Sequence, residues 1–363
     1  MKVAIVYDRV NKYGGAERFL ETILDIFPKA PIFTLVASTY LPSWSRKNKV
    51  YPTFLNWFPF LRTRHELLAP IAPMAFETHN LKDYDLIISV TSADAKSVVT
   101  LPHQTHICIC LTPTRYLWSG QKEYRKDPKL KFLPQFLLKY FKFVDLLLST
   151  RPDYFIAISK EVKKRIQKYY HRESTVIYPP VDNQFFVKKP VNQKSRKYYL
   201  IVSRLVPYKK IDLVISAFNK NKQKLIIVGE GSELNILQKQ AKRNIKFVGL
   251  VHDEELKQYY QNAKAVIFPQ REDFGLVPLE SQASGTPVIA YNYGGAKETI
   301  VKNQTGIFFQ HQTVTSINLA IKKFSKLNIE YDACLNNAKK FNTLRFKKEL
   351  LYCVNNALAN TAN

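Results

Sequence analysis

Short runs of β-branched and aliphatic residues recur along this chain about every twenty to twenty-five residues, with amphipathic or polar stretches between them. That alternation is the pattern of βαβ units, because two parallel strands need a crossover long enough to hold a helix. In the first half it predicts strands at residues 3–7, 32–36, 86–90, 106–110, 154–158 and 175–178. It also predicts a first helix whose apolar face is Phe19, Leu20, Ile23, Leu24 and Phe27, ended by Pro28. The rhythm restarts at 198–202 and continues at 225–228, 246–248, 265–268 and 288–290. The expectation is two Rossmann-like α/β domains, and 363 residues suit two cores better than one. Pro179-Pro180-Val181-Asp182 and the basic stretch 188–197 read as a linker, which divides the chain into 1–182, 183–342 and a last helical stretch, 343–363, that could pack back on the first domain.

Composition narrows the class. With 46% hydrophobic and 23% charged residues the chain can bury real cores, and no apolar run approaches the ~18 residues of a spanning helix. The start meets Asp8 too early for a secretory signal, so a cytoplasmic protein is expected. Cys108, Cys110, Cys334 and Cys353 lack zinc-ribbon spacing and read as buried thiols. A net charge of +26 favours anionic partners: phosphorylated ligands, acidic lipid or nucleic acid. The excess is clustered, with seven basic and two acidic residues in 122–142, six and one in 160–172, and eight and none in 188–210.

Three segments carry chemistry. Tyr13-Gly14-Gly15-Ala16-Glu17 follows the first strand and opens the first helix, so a ligand can approach backbone amides where the helix dipole favours phosphate. Ser203-Arg204-Leu205-Val206-Pro207-Tyr208-Lys209-Lys210 follows the first strand of the second half and sets cations at the carboxyl edge of a parallel sheet, where open α/β sheets bind ligands. Arg and Lys there can stabilise the charge that develops on a departing diphosphate, in place of a metal. Arg271-Glu272-Asp273-Phe274-Gly275-Leu276-Val277-Pro278-Leu279-Glu280 places two carboxylates around a glycine that opens a helix, so that Gly275, Leu276 and Val277 offer amides to phosphate.

This last set resembles the E-x7-E motif of the retaining group 1, or family 4, glycosyltransferases of GT-B fold. Further similar segments are Lys224 through Gly231, Phe247 through Asp253, Gly285 through Ala290, Gly294-Gly295-Ala296-Lys297-Glu298 and Thr305-Gly306. The resemblance implies two Rossmann-like domains facing a central cleft, with the donor held mainly by the second and the acceptor by the first. It implies catalytic roles for Arg204 and Lys209 at the diphosphate and Glu272 at the sugar. Donor binding would involve Gly15, Val251 near the base, Phe274, Gly275, Leu276, Val277, and Glu280 at the ribose. Gly14, Arg115 and Tyr116 would line the acceptor side of the cleft. Thr112 through Trp118 is similar to a segment of bacterial O-antigen mannosyltransferases, which favours GDP-mannose as donor, a UDP-sugar being the alternative, and a saccharide or lipid-linked acceptor in cell-surface polysaccharide synthesis.

One departure stands out: before Thr-Pro those relatives commonly carry a cleft histidine, and this chain has Leu111. Arg115 is the first candidate to replace it, while His103 and His106 read as structural. Asp83-Tyr84-Asp85 precedes its strand rather than following it and reads as a turn, so no metal and no cofactor is expected. Basic and apolar residues interleave in 57–64 and 129–143, as suits a peripheral protein on an anionic membrane or a core helix with solvated lysines. Two other functions stand as alternatives. A nucleotide-sugar 2-epimerase shares the fold, and a basic nucleic-acid-binding protein would explain the charge, but no nucleic-acid-binding signature supports it and no nucleic acid is expected as partner.

Overall fold

Leu86-Ile87-Ile88-Ser89-Val90-Thr91 is buried throughout, and it is the central strand of a seven-stranded parallel sheet. Such a run reads as apolar on both faces because helices cover both sides of a parallel sheet. The computed structural model describes residues 1–63, 68, 70–120, 134–187 and 196–361, and the chain divides into two units, Met1–Tyr178 with Phe346–Asn363, and Pro179–Arg345.

The first unit contains β1 (Val3–Val10), β2 (Ile32–Ala37), β3 (Val50–Pro52), β4 (Leu86–Thr91), β5 (Thr105–Cys110), β6 (Tyr154–Ala157) and β7 (Thr175–Val176), in the order β3-β2-β1-β4-β5-β6-β7. Strand order reverses between β1 and β4, and the crevice at such a switch point is where ligands bind. Helix α1 (Gly15–Ile26) leads from β1 and buries Phe19, Leu20, Ile23 and Leu24. The same unit carries α2 (Gln135–Leu148) and α3 (Lys160–Tyr170), the latter capped by Ser159 Oγ accepting from Val162 N at 3.0 Å.

The second unit contains β8 (Tyr198–Val202), β9 (Leu225–Val228), β10 (Ile245–Gly249), β11 (Ala263–Phe268), β12 (Val288–Tyr291) and β13 (Gly306–Phe309), all parallel, in the order β10-β9-β8-β11-β12-β13. Its switch point lies between β8 and β11. Helix α4 (Ile211–Asn221) packs Ile211, Val214, Ile215 and Phe218 into one core with Tyr199, Ile201, Ile227 and Ile267. Helix α5 (Asp253–Asn262) precedes β11, and α6 (Leu276–Ala283) follows it. The last helix, α7 (Thr343–Thr361), returns to the first unit, where Phe346 meets Phe19 edge-on at 5.2 Å between ring centroids.

The structure adds two strands to the expected set, β3 and β13, and moves several boundaries by one to three residues. Basic residues 122–131, the linker stretch 188–195 and Arg64 lie outside the described residues.

Candidate active site

Arg204 and Glu272 sit on the loops that leave β8 and β11, the two neighbouring strands on either side of the switch point of the second sheet. Parallel strands end on one side, so a cation and a carboxylate far apart in sequence meet at one edge. Lys209 Nζ is ion-paired with Glu272 Oε1, both side chains being largely buried. Arg204 donates to the Tyr208 hydroxyl oxygen at 2.7 Å, and the Lys209 ammonium lies 5.3 Å from the Tyr208 ring centroid. Tyr208 therefore spaces the two cations, a role that sequence reading missed. An ammonium has three donors, so Lys209 can hold Glu272 and a phosphate oxygen together.

Glycines fix both loops. A Cβ on Gly231 would stand 2.2 Å from Leu205 O, and one on Gly229 2.0 Å from Ser203 O, so the loop after β9 lies against the Arg204 loop. Leu205 N donates to Glu230 O at 2.8 Å across that contact. On the other side Gly294, left-handed at φ 58, would clash with Glu272 O at 2.2 Å, and Gly295 with Phe274 Cα at 2.2 Å. Gly295 N donates to Glu272 O at 3.1 Å. The glycine-bearing segments that carried the family resemblance thus act as backing for the loops that carry the charges.

Gly275 caps α6 with φ 88 and offers no side-chain cap, leaving the first-turn amides of the helix, at Leu276 and Val277, without an intrahelical partner. The Phe274 ring is buried and packs against Phe341 with centroids 6.1 Å apart, so Phe274 can reach a ligand only through its backbone. Glu280 is buried and accepts from the Tyr260 hydroxyl at 2.8 Å, which orients its carboxylate. Val251, half-buried, lies in the loop from edge strand β10 to α5. Arg271 is exposed, with its guanidinium 4.8 Å from the Tyr293 centroid and 5.8 Å from that of Tyr291. Stacking uses the face of a guanidinium and leaves its N–H edge to other acceptors.

In the first unit Gly14 and Gly15 are exposed at the start of α1, beside the switch point. Buried Glu17 accepts from Tyr7 Oη at 2.6 Å, and a Cβ on Gly14 would lie 3.3 Å from Glu17 Oε2. Asp8, which sequence reading used only to exclude a leader, is buried and organises the loop after β4. It accepts from Thr91 Oγ1 at 2.7 Å, Ser92 N at 2.8 Å, Ala95 N at 3.0 Å and Asp94 N at 3.1 Å. The Asp94 carboxyl in that loop is pushed up to about 7 by burial, with Asp8 and Asp145 adding to the effect of burial and Lys96 opposing it.

The Thr112 through Trp118 segment is built around a buried ion pair. Lys96 Nζ donates to Asp145 Oδ1 at 2.7 Å, and Asp145 also accepts from Thr114 Oγ1 at 2.7 Å and Trp118 Nε1 at 2.6 Å. Burial pulls the Lys96 pKa down, but Asp145 and its neighbours hold it well above its ordinary value. Thr114 and Trp118 therefore hold Asp145 in place, and Arg115 and Tyr116 are half-buried in the same segment. Burial, chiefly, with Asp94 and Asp145 adding, raises the Tyr116 hydroxyl well above its ordinary pKa.

Leu111 is half-buried just past β5, its N–H donating to Thr91 O at 2.8 Å. It stands at the end of the strand and outside the set of buried core residues. His106 is fully buried with Nε2 2.8 Å from Ser89 Oγ, and burial brings its pKa down to about 3. Asp85 accepts from Lys2 N at 2.6 Å in the turn that opens β4. Among the described residues no three His, Cys, Asp or Glu side chains group as metal ligands.

The description "Glycosyl transferases group 1" belongs to the family model that matches residues 182–341. This stretch belongs to the group 1 glycosyltransferases. The chain is 30% identical over 193 residues to the GDP-mannose-dependent alpha-(1-6)-phosphatidylinositol monomannoside mannosyltransferase of Mycobacterium tuberculosis, a match covering 45% of this chain and 50% of that protein. It is 31% identical over 166 residues to the O-antigen chain mannosyltransferase RfbU of Salmonella typhimurium, covering 41% and 45%. The matches thus span half or less of these relatives' lengths. Among solved structures, the sucrose-phosphate synthase of Thermosynechococcus elongatus superposes with a TM-score of 0.78 over 99% of this chain and 100% of that one, at 16% identity. Anabaena HepE in complex with UDP-glucose gives 0.72 over 98% and 100%, at 17% identity. The fold is GT-B, with two sheets of parallel strands.

Proposed function

We propose that this chain is a retaining hexosyltransferase that takes mannose from GDP-mannose and gives it to a saccharide or lipid-linked acceptor in cell-surface polysaccharide synthesis. The observation that carries the reading is the Lys209–Glu272 pair beside Arg204 at the switch point of the second sheet. As the bond from the sugar C1 to the diphosphate oxygen breaks, its electron pair passes to the diphosphate, and Arg204 and Lys209 stabilise the charge. Glu272, held by Lys209, accepts from sugar hydroxyls, and its ion pairing makes it a poor nucleophile, so no covalent intermediate is assigned to it. Glu280 takes the ribose, the amides of Gly275, Leu276 and Val277 the phosphates, and the Val251 loop the base. The first unit serves the acceptor through Gly14, Arg115 and Tyr116, and Gly15 serves the donor.

The preference for GDP-mannose rests on the two mannosyltransferases above, whereas HepE is described with UDP-glucose, so the competing reading is a UDP-sugar donor. No metal takes part in this scheme, and a lipid-linked acceptor sets the enzyme at the cytoplasmic surface of a membrane as a peripheral protein. The test is nucleotide release from a panel of GDP- and UDP-sugars, with and without EDTA. GDP release from GDP-mannose that survives chelation is expected. Activity silenced by EDTA and restored by manganese would contradict the metal-free scheme, and a preference for UDP-sugars would contradict the donor.

A further inference from the structure

Four large apolar side chains stand out from α2 into solvent: Phe136 (70% exposed), Tyr140 (56%), Phe143 (64%) and Leu147 (57%). Their spacing of i, i+4, i+7 and i+11 puts them in one stripe along a helix of 3.6 residues per turn. The opposite side of the same helix sends Leu138, Asp145 and Leu148 inward. Helix α2 thus carries a row of large apolar side chains on its outer side. A contiguous exposed apolar stripe on a surface helix marks a contact surface.

The charges beside the stripe identify what it contacts. Lys142 Nζ lies 5.2 Å from the Trp118 ring centroid, Trp118 stacks on Tyr169 at 5.0 Å, and Lys168 Nζ lies 5.5 Å from the Tyr169 centroid. This ladder seats α3 next to α2. Helix α3 exposes Lys160, Lys163, Lys164 and Lys168, and α2 exposes Lys139. The acids of the two helices are withdrawn, Asp145 buried on Lys96 at 2.7 Å and Glu161 half-buried on Arg165 at 3.1 Å. The exposed charged side chains of both helices are therefore all lysines.

We propose that the outer faces of α2 and α3 together form a docking surface for an anionic lipid bilayer. Phe136, Tyr140, Phe143 and Leu147 enter the boundary between headgroups and acyl chains, and the α3 lysines meet the phosphate-bearing headgroups beside them. A second copy of the chain is a poor occupant, since a self-complementary contact would bring the same lysines together in a molecule already at +26. The surface involves none of the residues assigned to sugar transfer, so it stands or falls independently of the donor.

The test is co-sedimentation of the full chain with vesicles of equal parts phosphatidylglycerol and phosphatidylcholine, against phosphatidylcholine alone. Binding to the anionic vesicles only is expected, weakening as salt rises. Substituting Phe136→Ser with Phe143→Ser should weaken it by about tenfold or more, since each ring contributes apolar area at the boundary. Substituting Lys163→Gln, Lys164→Gln and Lys168→Gln should weaken it by about tenfold and flatten the salt dependence. All five positions are exposed, and circular-dichroism melting checks that both variants fold. Equal binding to both vesicle types, wild-type binding by either variant, or no vesicle binding overturns the proposal. A concentration-dependent dimer that the Phe136/Phe143 variant abolishes, without vesicle binding, would assign the surface to a second copy instead.

Discussion

Single residues in this chain divide between those that hold loops and those that face ligands, and titration separates one of them. His106 is neutral in the fold, with its pKa brought from 6.5 to about 3 by burial. A folded pKa below the unfolded one means that the unfolded chain binds more protons between those values, so stability falls as pH drops from about 6.5 towards 3. His106→Gln removes that term, and the melting-temperature advantage of the wild type should shrink as pH is lowered through this window. A constant difference from pH 7 to 4 would contradict a neutral, buried His106. Leu111 is the second case: it is half-buried at a strand end, so Leu111→His can keep its imidazole hydrated. The expected outcome is a changed donor preference or turnover with a melting temperature close to wild type. A lower melting temperature with unchanged kinetics would place Leu111 in the core and leave the role of the relatives' histidine to Arg115.

At the scale of elements, the strands that line the switch points were legible in the sequence because parallel strands buried on both faces must be runs of Val, Ile and Leu. Edge strands need no such run. β3 is three residues ending in Pro52, and β13 is four opening with Gly306, where a Cβ would meet Val288 O, so both are short and interrupted by residues that strands disfavour. The charged loops were legible because each follows a recognisable strand, but their backing was not. Nothing in the residue types of Tyr208 or Tyr260 announces that one spaces two cations and the other orients Glu280, since those contacts depend on how the loop after β8 folds and on how α5 lies against α6. Gly294 tests the backing directly. Alanine there adds a Cβ 2.2 Å from Glu272 O at a left-handed φ, which costs about 1–3 kcal/mol unless the loop moves. Gly294→Ala should lower kcat/KM more than it lowers the melting temperature, because the displaced loop carries Glu272. Wild-type values of both would show that the loop tolerates the shift.

On the scale of the whole molecule, two parallel sheets each present a switch point, one with glycines opening a helix and one with paired charges. Each sheet matches the general rule for ligand binding at an open α/β edge, and the second sets the Lys209–Glu272 pair on the same edge as Arg204. The proposed function gives donor chemistry to Pro179–Arg345 and acceptor binding to the first unit, as the family resemblance implies. The central claim is that Arg204 and Lys209 stabilise a departing nucleoside diphosphate. The most direct measurement is the single-turnover rate of GDP release from GDP-mannose by the wild type, Arg204→Ala and Lys209→Ala, each checked for an unchanged melting curve. The account predicts GDP release by the wild type and a loss of about a hundredfold or more in each folded variant. Release at the wild-type rate by both variants would contradict it.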